Sequence, residues 1–243
     1  HPCNRNADSF LDDVRRFIVR QKLFGVVMPP SVSEDDRVVA ILKEADCPYV
    51  RIASVSLDEP GCMVVTNDSR GAAEAAQHLA ELGHSRVAFI SGPELFRSSH
   101  ERGRGFREGL AEHGLTLDPA YVRQGAYTFE SGVEAARDLL AMAVPPTAIF
   151  AGNDEMAIGV MKAARDAGLD VPRDLSIVGF DDLPMASRVW PNLTTVRLPI
   201  RDMGRMAAEK LTARSRGLDP TTLVQPVVRP SLVVRESTAK PGR

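Results

Sequence analysis

The sequence predicts an α/β protein built as two doubly wound, parallel-sheet lobes, and three observations carry that prediction. Apolar bursts of strand length alternate with helical patterns along almost the whole chain. The bursts are continuously apolar, as strands of a parallel sheet covered on both faces must be. The βα series also comes twice, once before and once after about Gly83. With 243 residues, 44% of them hydrophobic, the chain can bury two cores of ordinary size.

The elements follow in order. "LFGVVMPP" (23–30) reads as a buried strand and "SEDDRVVAILKEAD" as the helix after it; "PYVRIA" and "GCMVVTN" are further strands. "DSRGAAEAAQHLAELGH" is a helix that Asn67 or Asp68 can cap, with Ala73, Ala76, Leu79 and Leu82 near helical spacing and Gly83 suited to its end. "RVAFISGP" (86–93) is a strand, and "HERGRGFREGLAEHG" a helix closed by Gly114. Strand "YVRQGAY", helix "ESGVEAARDLLAMA", strand "TAIFAG" and helix "DEMAIGVMKAARDAG" come next. "LSIVGF" (175–180) and "LTTVRLP" are strands, "IRDMGRMAAEKLTARSRG" a last helix, and "LVQPVVRPSLVVRES" an extended tail.

Composition excludes several classes of function. Thirty Lys+Arg against 32 Asp+Glu give a net charge of −2, so this chain has no basic surplus for phosphates. Aromatics are only 5%, too few for a base-stacking surface. Cys3, Cys47 and Cys62 form no C-x-x-C pair and read as isolated thiols in a reducing cytoplasm. No apolar run approaches the ~18 residues of a membrane span, and the start "HPCNRNADSF" has no export-signal pattern. His1, His78, His84, His100 and His113 sit at no metal-ligand spacing, and no H-E-x-x-H, Walker or G-x-S-x-G motif is present. No metal and no cofactor are expected.

Ligands of open α/β sheets sit outside the carboxyl ends of strands, and polar residues gather at such ends here. In "TAIFAGNDEMAIG", Asn153 and Asp154 stand between a strand and a helix; one side chain is needed as a cap and the other is free to face a ligand. Asp181 and Asp182 follow "LSIVGF" in the same way, where the alternative is a solvated turn. In "ERGRGFREG" the glycine spacing is not that of a phosphate loop; Arg104 and Arg107 read as solvated helix arginines, whereas Arg102 lies near the strand-end rim. Tyr127 offers an aromatic face for a sugar ring or a base, or packs only against its own lobe.

Taken together, "VVTNDSRGAAEAAQHLAELGHSRVAFISGP", "ERGRGFREGL", "AIFAGNDEMAIGVMKAARDAGLDVPRDLSIVGFDDLPMA", "PNLTTVRLPIRDMGRMAAEKL" and "RPSLVVREST" resemble the LacI/GalR family of bacterial transcription regulators, from about Phe24 to Thr238. The resemblance implies a periplasmic-binding-protein-like fold of type I, with a ligand cleft between two lobes. It puts the N-terminal lobe at 1–83 plus 199–225 and the C-terminal lobe at 84–198 plus 226–243, with crossings near Gly83–Ser85, Leu198–Pro199 and Gln225–Val227. It assigns Arg102 as the effector clamp, Asn153 as an effector-contacting amide with Asp154 as the cap, Asp181 as the carboxylate for sugar hydroxyls or a base edge, and Tyr127 as a lining aromatic. Asn67–Asp68 inverts the family's usual Asp-Asn order, and both remain candidates for effector contact. Leu198 replaces a residue that is often polar, which points to a less hydroxylated or larger effector.

The implied function is that of a cytoplasmic, dimeric, effector-responsive regulator, not an enzyme, binding a small molecule of sugar type and acting on operator DNA through a headpiece. The chain start resembles the end of the family's second strand, so headpiece and first βα unit are expected to be missing from this sequence. The rival reading is a periplasmic sugar-binding protein of a transporter, which the "LTTVR…MG…LVVRES" ending disfavours.

Overall fold

The computed structural model describes residues 9–218 and 228–242. Its elements begin with α1 (Phe10–Gln21), β1 (Val26–Met28), α2 (Pro30–Ser33), α3 (Asp36–Glu44), β2 (Tyr49–Ala53), β3 (Met63–Val65) and α4 (Asp68–Glu81). They continue with β4 (Val87–Ser91), α5 (Arg97–Ala111), β5 (Val122–Gln124), α6 (Phe129–Leu140), β6 (Ala148–Ala151) and α7 (Asp154–Asp166). β7 (Ser176–Asp181), β8 (Thr194–Arg197), α8 (Ile200–Ser215) and β9 (Ser231–Val233) follow. The chain forms two compact units, 1–66 with 199–228 and 67–198 with 229–243.

The first unit carries a parallel sheet in the order β1-β2-β3. Helices α1 and α3 pack through Phe10, Ile18, Val38, Ile41 and Leu42, and α8 packs against all three strands. Every residue of β2 is buried, including Arg51, whose charge is matched by Asp36 at 2.9 Å and whose Nε donates to Ser33 O. The strand end read at the chain start falls almost wholly on residues 1–8, and helix α1 after it is an element the sequence reading does not include. Phe10, Val14 and Ile18 recur every fourth residue and Asp12 and Asp13 sit in the first turn, which is a helical signal. Residues 1–8 lie outside the described residues.

The second unit carries a six-stranded sheet in the order β5-β4-β6-β7-β8-β9, parallel except for the β8–β9 pair. Period-2 alternation divides its strands between two cores. Val87, Phe89, Phe150, Val178 and Phe180 meet α4 and α5, while Ala88, Ile90, Ile149 and Ile177 meet α6 and α7.

Helix α4 belongs to this second unit, so the first boundary falls after Thr66 rather than at Gly83. Small residues explain it. Gly71 lies on Val196 and Phe180, Gly105 of α5 lies on the backbone of Ser69, and Gly109 lies on Ala73. A Cβ at Gly105 would come 1.9 Å from Ser69 O, so the two helices touch backbone to backbone. At the next boundary the second unit ends at Leu198, and the crossing expected near Gln225–Val227 lies outside the described residues.

Candidate functional site

Strand β4 sits between β5 and β6, so the chain leaves β4 in one direction and β6 in the other. At such a switch point the loops diverge and the strand ends stay uncovered. Gly152 N–H donates to Ile90 O at 2.8 Å and ties the two ends together. The Tyr127 ring lies directly on Gly92, where a Cβ would meet it at 2.1 Å.

Arg102 projects from the second turn of α5 into this place and is 7% exposed. Its Nε donates to Asp68 Oδ2 at 2.9 Å and its Nη1 to Gly152 O at 2.6 Å, while Nη2 lies 3.5 Å from Asp181 Oδ1. The guanidinium stacks on the Phe180 ring, 3.8 Å from its centroid. Burial alone would pull its pKa down, but the charges of Asp68 and Asp181 outweigh that and hold it above the ordinary arginine value.

The two neighbouring carboxylates after β7 have different environments. Asp181, with its side chain 22% exposed, is pushed up to about 6 by burial; Arg102 opposes this and the charge of Asp68 adds to it. Asp182 also feels burial, but hydrogen bonds from Arg235 at 2.5 Å and Arg197 at 2.6 Å hold it below the usual carboxylate range. Asp181 (φ 113°), Asp182 (φ 57°) and Tyr127 (φ 61°) all stand in the left-handed region, at about 1–3 kcal/mol each. Such backbone persists only where surrounding contacts over-determine it, and strain of this kind clusters at ligand sites.

The capping role expected of Asp154 is corrected. Asn153 is the cap: its backbone is extended, and its Oδ1 accepts from Met156 N–H at 2.9 Å. Its Nδ2 donates to Tyr127 O at 3.1 Å, which leaves one amide proton for other partners. Asp154 is fully buried, accepting from Thr195 Oγ1 at 2.5 Å and Leu183 N–H at 2.7 Å. Burial, reinforced by Asp181 and Asp182, raises its pKa to about 7 against those two hydrogen bonds. The 67–68 pair repeats the pattern: Asn67 is exposed and caps α4 through Arg70 N–H, and Asp68 is buried against Arg102.

Arg102, Asp68, Asp181, Tyr127 and Asn153 are thus one cluster at the strand ends of the second unit, and Asn67 lies at its edge as a cap. Leu198 is partly buried and packs against the α4–α5 core of its own unit. Arg104 is paired with Glu101 and Glu108, and it and Arg107 are exposed, as the sequence predicts. Cys47 and Cys62 are buried free thiols. Among the described residues there is no metal-binding group of His, Cys, Asp or Glu, and no helix is long and apolar enough to cross a membrane.

Residues 76–238 match the model of the periplasmic binding protein-like domain family. The chain belongs to that family. Relatives are LacI-type regulators, in line with the resemblance read from the sequence. Catabolite control protein A of Priestia megaterium is 36% identical over 86% of this chain and 63% of its own length. The transcriptional regulator CelR of Thermobifida fusca is 36% identical over 91% of this chain and 65% of its own length. A solved CelR–cellobiose complex superposes with a TM-score of 0.84 at 33% identity, covering 95% of this chain and 71% of that one. The chain therefore spans less than two thirds of the length of these two curated regulators.

Within this family member, several residues support the cluster without having stood out in the sequence. Phe180 floors Arg102, Ser99 shares a 2.8 Å hydrogen bond with the Tyr127 hydroxyl, Thr195 engages Asp154, and Arg197 and Arg235 neutralise Asp182. Phe180 and Thr195 lie in apolar strand patterns, and only the alternation along β7 and β8 gives their side. Arg235 reaches Asp182 across 53 residues of sequence, and no local pattern announces such a pair.

Proposed function

We propose that this chain is the effector-binding and dimerising core of a LacI/GalR-type transcriptional regulator. In the whole protein, acting in the cytoplasm, it senses a sugar or sugar derivative and controls operator binding through a helix-turn-helix headpiece. The observation that carries this reading is the pairing of the Arg102 guanidinium with the partly exposed Asp181 carboxylate at a topological switch point. A sugar hydroxyl both donates and accepts, and this pair offers an acceptor beside donors. The cellobiose complex of CelR supports a sugar as the effector class.

Binding, not catalysis, is the better use of these residues. A glycosidase needs a second carboxyl facing the reacting bond. Asp182, next in sequence, and Asp154, close enough to feel the charge of Asp181, each have both oxygens engaged within the protein, and Asp68 is paired with Arg102. As a regulator, the effector shifts the equilibrium between DNA-binding arrangements only by its differential affinity for them.

The test is a thermal-shift screen against neutral sugars, sugar phosphates and purines, with Arg102→Lys as the comparison variant. Ligand at a hundred times its Kd adds ~2.7 kcal/mol, enough to raise the midpoint by several degrees. A sugar response that weakens in the lysine variant, which keeps the charge and loses the planar fork, supports the reading. A response indifferent to Arg102 and to Asp181 contradicts it.

A further inference from the structure

The electrostatics of the cluster say more about the effector than that it carries hydroxyls. Its three arginines are each engaged by a carboxylate: Arg102 by Asp68 and Asp181, and Arg197 and Arg235 both by Asp182. Three cations face three carboxylates, with Asp154 buried behind them. The guanidinium of Arg102 is therefore not an uncompensated positive charge. Two of its five N–H groups are hydrogen-bonded, to Asp68 and to Gly152 O, so donors remain without a surplus of charge.

We propose that this site takes an uncharged polyhydroxyl effector and rejects the anionic derivative of the same sugar, a phosphate ester or a uronate, with Asp181 as the discriminating residue. The inference rests on the effector reading above. An anion that approached Nη2 would stand beside a carboxylate 3.5 Å from that same nitrogen. It would lose its hydration in a largely buried place and meet like charge there. A neutral diol meets no such penalty. Its hydroxyls donate to Asp181 and accept from Arg102, and its apolar ring face can lie against Tyr127, itself set on Gly92. Selection then comes from an element that repels the wrong ligand as much as from one that attracts the right one.

The experiment needs no knowledge of which sugar is native. Thermal midpoints are measured at pH 7.5 and constant ionic strength with and without orthophosphate, for the wild type, Asp181→Asn and Asp181→Gly. Glycine suits the φ of 113° and removes the same charge by a different route. The expected result is no response of the wild type and a phosphate-dependent rise in both variants that disappears when Arg102→Gln is added. Phosphate stabilisation of the wild type that depends on Arg102 overturns the inference, and so does the absence of any gain in the Asp181 variants. Matched pairs extend the test: glucose with glucose 6-phosphate and with glucuronate, galactose with galacturonate. A neutral sugar that binds at least tenfold tighter than its anion supports the proposal, and an anion tighter than its parent overturns it while leaving the effector reading intact. Sugar responses that ignore Arg102 and Asp181 count against the effector reading itself.

Discussion

Arg102 and Asp68 form a buried ion pair, with Nε 2.9 Å from Oδ2 and side chains 8% and 3% exposed. It joins the second turn of α5 to the first residue of α4, beside the backbone contact that Gly105 permits. Deleting one member of such a pair leaves the other charged, buried and less well matched, at about 3–5 kcal/mol, whereas replacing both by apolar groups often costs little. Arg102→Met and Asp68→Leu are therefore expected to destabilise strongly as singles and less than additively as a double. Urea denaturation of the four proteins in the cycle checks this, and additive losses would show that the pair is not coupled.

Gly105→Ala separates helix propensity from packing. On an exposed helix, alanine in place of glycine gains up to ~1 kcal/mol. Here the new methyl group would press on Ser69 O at 1.9 Å, against backbone that cannot turn aside. The clash wins, and the variant is expected to lose at least ~2 kcal/mol, in the range of overpacked cores. An unchanged or raised thermal midpoint would mean that α4 and α5 do not approach this closely.

Asp154 gives a pH dependence with a definite sign. Its folded pKa of about 7 lies above the ordinary 3.8, so the native state binds the proton more tightly than the unfolded chain. The stability this contributes is complete below about pH 3.8 and is lost as pH rises through 7. Asp154→Asn cannot titrate and can keep both partners, Leu183 N–H on its oxygen and Thr195 on its amide. The midpoint of Asp154→Asn minus that of the wild type should become more positive between pH 5 and pH 8. A constant difference over that range would refute the raised pKa.

Asn153 has two separable jobs. Asn153→Asp keeps an acceptor for Met156 N–H but loses the donor to Tyr127 O, whereas Asn153→Ala loses both. Alanine is expected to cost ~1 kcal/mol as a lost cap and aspartate clearly less. Both should weaken any ligand that depends on the Tyr127 loop. Equal ligand affinity in wild type and Asn153→Asp would release Tyr127 O from that role.

Much of this was legible in the sequence, for identifiable reasons. Continuous apolar strands and glycine-closed helices define the α/β class, and the positions of Arg102, Asp181 and Tyr127 after strands bring them to one strand end. What failed was local detail decided by tertiary contacts. Asn and Asp are nearly equal as caps, so the partner of each at 153–154 depends on Thr195, more than forty residues away. Helix α4 follows the first βα series in sequence, yet the close approach of Gly71, Gly105 and Gly109 fixes it to the second unit. Helix α1 was missed because charged residues break its apolar stripe, leaving Phe10, Val14 and Ile18 as the signal.

The most direct test of the central claim is isothermal titration of the chain with the neutral sugar that scores in the thermal screen, repeated on Arg102→Lys and Asp181→Asn. Retained folding with at least tenfold weaker binding in both variants is the predicted result, a loss of 1.4 kcal/mol or more. Unchanged affinity in both would contradict the assignment of the Arg102–Asp181 cluster as the effector site.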